Sequence, residues 1–254
     1  MLPNKKNSKN VLVLYGDGIN CEQELGRAFA GAGANVQLVH VSEFLANPQQ
    51  LLQYHILAFP GGFSFGDELR SGKILAEKIR PAMQKYLKNF LSQKGLVIGV
   101  CNGFQVLVQL GVFEHKGGVT PEHRHLTLAT NDYGEFRDFW STFIITEAAA
   151  NKSPWLAGLG GQCIKLPVRN KEGRLVYSPN NKVSSAAWSV AVQFVVETNG
   201  SFERAAGIID ETGQIFGIMP HPEAALESFL YPVEKHAEQN VELLSKIFKN
   251  AIQY

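Results

Sequence analysis

The chain has 254 residues, 45% of them hydrophobic and 19% charged, with 24 Lys and Arg against 23 Asp and Glu for a formal charge of +1. That is enough apolar material for one sizeable α/β core, and the near-neutral balance excludes the basic stripe that nucleic-acid binding demands. Cys21, Cys101 and Cys163 are too few and too scattered for a disulfide framework or a zinc site, and no apolar run approaches the ~18 residues of a membrane span.

The start, Met1 to Asn10, carries Lys5, Lys6 and Lys9 but no apolar stretch of signal-peptide type, so it reads as a tail on a cytoplasmic protein. Val11 to Tyr15 is a β-rich apolar run stopped by Gly16-Asp17-Gly18, which predicts a buried strand and a turn. Asn20 with Gln23 predicts a capped helix burying Leu25, Ala28, Phe29 and Ala32. Strands are expected at Val36 to Val41 and Ile56 to Phe59, the latter stopped by Pro60-Gly61-Gly62. Two helices follow in this reading, one around Glu68 to Ile79 and one started by Pro81, with Met83, Leu87, Phe90 and Leu91 on its apolar face. Leu96 to Val100 reads as a strand and Phe104 to Leu110 as a helix.

Beyond residue 125 the pattern shifts to strands at Thr142 to Thr146, Leu175 to Ser178 and Val190 to Glu197. Ala206 to Ile209 and Gln214 to Met219 flank Asp210-Glu211-Thr212-Gly213 as a hairpin, and Val233 to Ile252 is amphipathic at helical spacing. With no repeat or composition break, residues 11–254 are expected to form a single domain after a tail over residues 1–10. The fold class is α/β: a doubly wound, mostly parallel sheet with helices on both faces and an antiparallel addition in the second half.

Gly99-Val100-Cys101-Asn102-Gly103 lies between a buried strand and a helix, the setting of a nucleophile elbow with cysteine in the serine's place. The glycines leave room for a strand turning directly into a helix, and a helix N-terminus favours a thiolate. Alone, the pattern also fits a buried core cysteine. His221-Pro222-Glu223 adds a base and its carboxylate partner: proline disfavours helix at His221, and in extended chain residues two apart share a face. A carboxylate on one ring nitrogen fixes the imidazole and leaves the other nitrogen for a thiol. Both motifs follow strands, so a parallel sheet brings them to one edge. The consecutive glycines Gly61 and Gly62 offer backbone N–H groups that, together with the Asn102 N–H, suit an oxyanion hole.

Other motifs fall short. Gly16-Asp17-Gly18 lacks the third glycine of a dinucleotide fingerprint, and Gly72-Lys73-Ile74 lacks the frame of a phosphate loop, so no ATP site is expected in this chain. His123-Arg124-His125 reads as a surface loop and not a metal site, while Cys21 and Cys163 read as packing residues.

Taken together, Pro60-Gly61-Gly62, Gly99-Val100-Cys101-Asn102-Gly103-Phe104-Gln105 and His221-Pro222-Glu223 resemble the triad-type (class I) glutamine amidotransferases. Within that group the sequence is most similar to the glutaminase components of phosphoribosylformylglycinamidine synthases. The residues carrying this closer likeness are Gly16 to Cys21, Pro60 to Gly72, Cys101 to Gln105, Asn199-Gly200-Ser201 and Met219 to Glu223. Arg169-Asn170-Lys171-Glu172-Gly173 departs from the Ala-His-Gly-Glu-Gly found there in the family, so no role is carried over to that stretch.

The resemblance implies Cys101 as nucleophile, His221 as proton carrier and Glu223 as its orienting partner, with Gly62 and Asn102 as oxyanion donors and Gln105 helping to bind the substrate L-glutamine. It implies no cofactor or metal in this chain. Ammonia passes to a separate synthetase subunit, which binds ATP and magnesium, with a small accessory subunit also expected. A glutaminase serving another synthetase, a stand-alone cysteine hydrolase and a silent regulatory subunit remain as alternatives, the last opposed by the complete triad.

Overall fold

The computed structural model describes residues 8–114, 118–119, 125–178, 187–196, 199–232 and 236–254. Its first half alternates strand and helix: β1 (Asn10–Tyr15), α1 (Glu22–Gly31), β2 (Asn35–His40), α2 (Val41–Ala46), β3 (Ile56–Phe59), α3 (Lys73–Ser92), β4 (Leu96–Val100) and α4 (Asn102–Leu110). Strands dominate the second half: β5 (Leu126–Ala129), β6 (Arg137–Ile145), α5 (Glu147–Lys152), β7 (Cys163–Asn170), β8 (Arg174–Tyr177), β9 (Trp188–Phe194), β10 (Ala205–Asp210), β11 (Ile215–Ile218) and α6 (Ala237–Gln253).

Nine strands make one sheet in the order β2-β1-β3-β4-β11-β10-β9-β6-β7, and β5 pairs with β8 in a small second sheet. β2, β1, β3, β4 and β11 run parallel, and each later neighbour is antiparallel. β1 lies between β2 and β3, so the winding reverses there, and right-handed crossovers place α1 on the opposite face from the later helices. The helices group accordingly, α1 with α6 and α3 with α2 and α4. The central strands are buried along their whole length, as Val11–Leu14, Ile56–Phe59 and Leu96–Val100 show, which is why they read as unbroken apolar runs. Phe29 bridges α1 to α6 by edge contact with Phe248, at 5.1 Å between ring centroids. β1 already begins at Asn10, the last residue of the expected tail.

Several local expectations fail for identifiable reasons. Asn20 does not cap α1: the N-cap is Cys21, without a side-chain cap, and Asn20 Oδ1 instead accepts from the Cys21 thiol. The two helices expected over Glu68 to Leu91 are one, with Pro81 inside α3. Proline removes one backbone hydrogen bond, but Leu75, Ala76, Ile79, Met83, Leu87 and Phe90 are buried on both sides of it, and tertiary packing carries the helix through. Gly72, at φ 73°, and a short 3-10 turn at Ser64–Asp67 keep α3 from starting earlier. β7 escapes a pattern reading because Pro167 interrupts it; it is the last strand of the sheet, where a missing N–H is tolerated. The expected start of the last helix, Val233 to Lys235, and most of the His123-Arg124-His125 motif lie outside the described residues.

Candidate active site

β4 and β11 are adjacent and parallel, with Val100 opposite Ile218, so the residues that follow them, Cys101 and His221, emerge at the same carboxyl edge. Cys101 is the N-cap of α4 and sits at φ 51°, ψ −109°, a strained conformation for a residue with a side chain. The flanking glycines explain how the chain turns there. A Cβ on Gly99 would lie 2.6 Å from the Gly103 oxygen, and one on Gly103 would collide with the Phe59 carbonyl. The elbow therefore packs backbone against backbone, as the sequence pattern required.

His221 and Glu223 are both buried, and His221 Nδ1 lies 2.7 Å from Glu223 Oε1. They meet through a turn and not through strand alternation: Pro222 is helical at φ −65°, ψ −32°, and Glu223 opens a 3-10 turn. The His221 N–H is held by the carbonyl of Pro167 at 3.1 Å. Burial pushes the His221 pKa down, but the Glu223 carboxylate and then the Cys101 and Cys21 thiols outweigh it, and the imidazole is held well above its ordinary value. Glu223 Oε2 is buried without a hydrogen-bond partner, so the carboxylate is aimed at the imidazole alone.

Gly62 follows β3 and adopts φ 138°, a region open only to glycine. It forms an antiparallel bridge with Ile19 in which Phe63 N donates to Gly18 O and Asn20 N donates to Gly61 O. In that pairing the Gly62 N–H points away from Ile19. The loop is fastened to the elbow by the Asn102 side chain, whose Oδ1 accepts from Ser64 N at 3.2 Å and whose Nδ2 donates to Asp67 Oδ1 at 3.1 Å. Asn102 Nδ2 also donates to Gln105 Oε1 at 2.9 Å, and Gln105 Nε2 donates to the Glu172 carbonyl at 2.6 Å.

A cavity of about 220 Å³ opens over the sulfur, lined by Asn20, Cys21, Gly62, Cys101, Asp138, Arg169 and His221 together with Phe63 and Phe136. The structure thus brings Cys101, His221 and Gly62 to one cavity, with Glu223 on His221 Nδ1 and Asn102 next to Cys101, while Gln105 does not line the cavity and bonds Asn102 and Glu172. A larger cavity of about 560 Å³, bounded by α1 and α6, touches Glu223 but not Cys101.

Phe136 and Asp138 line the cavity although sequence reasoning did not name them, and Arg169 was named only within the stretch that departs from the family pattern. Arg169 and Asp138 face each other on β7 and β6 and pair at 3.8 Å, and the Arg169 carbonyl lies 3.6 Å from the Cys101 sulfur. The one signal in the sequence at Arg169 was the departure of residues 169–173 from the family pattern. Cys21 is not the packing residue expected, since it is half-buried and borders the cavity; Cys163 is exposed. Asn199-Gly200-Ser201 supports the cover of the site from behind: Ser201 Oγ accepts from Leu175 N, and Asn199 Nδ2 donates to Asn131, which in turn binds Gly173 and Asn170.

The model of the CobB/CobQ-like glutamine amidotransferase domain matches residues 8–254. The chain belongs to that family. It is 34% identical to phosphoribosylformylglycinamidine synthase subunit PurQ of Dehalococcoides mccartyi over 96% of each chain. It is also 34% identical to the PurQ subunit of Methanococcus maripaludis, over 96% of this chain and 97% of the relative. Among solved structures, PurLQS from Thermotoga maritima contains a chain with a TM-score of 0.74 at 28% identity, covering 97% of this chain and 99% of that one.

Proposed function

We infer that this chain is the glutaminase component of a phosphoribosylformylglycinamidine synthase, acting in purine biosynthesis. The observation that carries this reading is the meeting of Cys101 and His221 on one cavity, with Glu223 bonded to His221 Nδ1, in a chain of amidotransferase fold, supported by relatives of that name along almost its full length.

In the proposed mechanism His221 takes the Cys101 proton and the thiolate attacks the side-chain amide carbon of L-glutamine. The Gly62 and Asn102 N–H groups hold the resulting oxyanion, each donor being worth roughly 3 kcal/mol in the transition state. Protonated His221 gives its proton to the leaving nitrogen, ammonia departs, and water hydrolyses the thioester to glutamate with His221 as base. Glu223 keeps the imidazole oriented throughout. Cavity volume and charge suit the substrate: Arg169 and Asp138 offer one cation and one anion to the carboxylate and ammonium of a zwitterionic amino acid. Gln105 reaches glutamine in this proposal by exchanging its bond to the Glu172 carbonyl.

Ammonia is consumed by a synthetase subunit, and the likeness to a chain of PurLQS supports that partner. We place ATP and magnesium on the synthetase, assign no cofactor to this chain, and expect a small accessory subunit and a cytoplasmic location for the complex. No helix among the described residues is long and apolar enough to cross a membrane.

Treatment with a γ-electrophilic glutamine analogue, followed by mass spectrometry, tests the reading. Labelling confined to Cys101 is expected. An unlabelled Cys101, even with the synthetase present, overturns it.

A further inference from the structure

We propose that Cys21, Cys101 and His221 form an inhibitory Zn²⁺ site inside the catalytic cavity. The proposed glutaminase mechanism leaves the Cys21 thiol without a task, yet that thiol is part of the cavity wall. Its sulfur, a ring nitrogen of His221 and a carboxylate oxygen of Glu223 lie within 4.8 Å of one another. Gly61 shows how closely the three candidate ligands converge. The point where a Cβ of residue 61 would sit is 2.8 Å from His221 Cε1, 3.3 Å from Cys21 Sγ and 3.4 Å from Cys101 Cβ.

The chemistry of the set selects the ion. Two thiolates and an imidazole are the donors Zn²⁺ prefers, and ligands in a tetrahedral site stand about 3.6 Å apart, given Zn–S near 2.3 Å and Zn–N near 2.0 Å. Glu223 occupies His221 Nδ1, which leaves Nε2 as the ligating nitrogen and supplies the carboxylate that zinc-bound histidines commonly carry on their other nitrogen. Binding sends to solvent whatever protons the two sulfurs and the His221 Nε2 carry, since zinc takes thiolates and a neutral imidazole. The bound ion removes the nucleophile and the base at once, so zinc and glutamine compete for the cavity. Sequence spacing did not show this because the ligands lie 80 and 120 positions apart; only the sheet edge gathers them.

The test uses the full chain, reduced and stripped with a chelator, and titrates it with Co²⁺ and then Zn²⁺. One equivalent of Co²⁺ is expected to give thiolate-to-cobalt charge-transfer absorption, which Zn²⁺ abolishes by displacement. In the complex with its synthetase, zinc is expected to stop glutamine hydrolysis and the chelator to restore it. Cys21→Ser and Cys21→Ala are each expected to weaken the cobalt band and to raise the zinc needed for half-inhibition, relative to their own metal-free rates, by at least about tenfold. Absence of a thiolate band, or equal zinc sensitivity in wild type and both variants, overturns the proposal. The cobalt spectrum is read without glutamine, so its outcome is independent of whether the chain is a glutaminase.

Discussion

At the scale of single residues, the site depends on one buried ion pair. His221 and Glu223 sit 2.7 Å apart and both are buried, so the carboxylate favours the protonated imidazole. Truncating His221 removes the group that carries protons in both half-reactions, whereas Glu223→Gln removes only orientation and charge. His221→Ala is therefore expected to lower turnover by about 10⁶-fold and Glu223→Gln by at most about 10⁴-fold, measured as steady-state glutamine hydrolysis. An equal or larger loss for the Glu223 variant contradicts these roles. The same pair makes stability depend on pH. Because the folded His221 pKa is raised above its ordinary 6.5, its contribution is fully present below that pH and is lost as pH rises through the folded value. Urea unfolding of the wild type across this range is expected to show that decline, and Glu223→Gln to flatten it. An unchanged slope refutes the assignment.

At the scale of elements, the precision of the site comes from how two loops and a helix are tied. Asn102 contributes its backbone to the elbow, but its buried side chain holds Ser64 N and Asp67, and through them the glycine loop. Asn102→Ala leaves the buried Ser64 N–H without its acceptor, at a cost of about 1–3 kcal/mol. It also frees the loop carrying Gly62, so turnover is expected to drop on the order of a hundredfold with KM changed less. A variant that loses stability but keeps its turnover rules out this tethering role. The other end of α4 is fixed by Arg80, a buried guanidinium that donates to the carbonyls of Gln109 and Leu110 at 2.9 and 3.1 Å. Its hydrogen bonds also hold the Glu77 carboxyl at a pKa of about 2. Arg80→Met is expected to destabilise the fold by about 2–3 kcal/mol, because both helix-end carbonyls lose a donor, and to return the Glu77 titration toward 4.5. Denaturant titration and carboxyl NMR check the two effects separately.

At the scale of the whole molecule, the edge that carries the candidate site is covered by the end of β7 and its connection to β8. In that segment the Arg169 carbonyl faces the nucleophile, the Glu172 carbonyl engages Gln105, and the Glu172 side chain accepts from Ser71 N. The Arg169 carbonyl lies 3.6 Å from the Cys101 sulfur, and the Gly62 oxyanion donor of the proposed mechanism sits in a glycine-rich loop where a peptide can turn at little steric cost. The isolated chain is therefore expected to hydrolyse glutamine poorly, and the synthetase with its substrate bound to raise turnover about a hundredfold, the value of one correctly placed oxyanion donor. Equal turnover in the isolated chain and the complex favours a stand-alone hydrolase. Cys101→Ala is expected to abolish glutamine-dependent amidine synthesis by the complex while synthesis from ammonium salts persists. Loss of both in a folded complex shows that the two chemistries are not separated between chains.

The parts legible in the sequence are those governed by local sterics and periodicity. Val11 to Tyr15, Ile56 to Phe59 and Leu96 to Val100 announce buried parallel strands because both faces are covered. Gly99 and Gly103 announce the elbow because no side chain fits there, and that geometry presents Cys101 at the sheet edge. Other features were settled only when the chain closed on itself. Packing on both sides of Pro81 overrode its helix-starting signal, and the edge position of β7 accommodated Pro167. The turn at Pro222, and not strand alternation, brought Glu223 to His221. Asp138 and Arg169 match no family motif, and they reach the cavity only through the pairing of β6 with β7. Local sequence specifies which backbone conformations are possible. Which side chains share a cavity depends on contacts between residues far apart in the chain, and those exist only in the folded molecule.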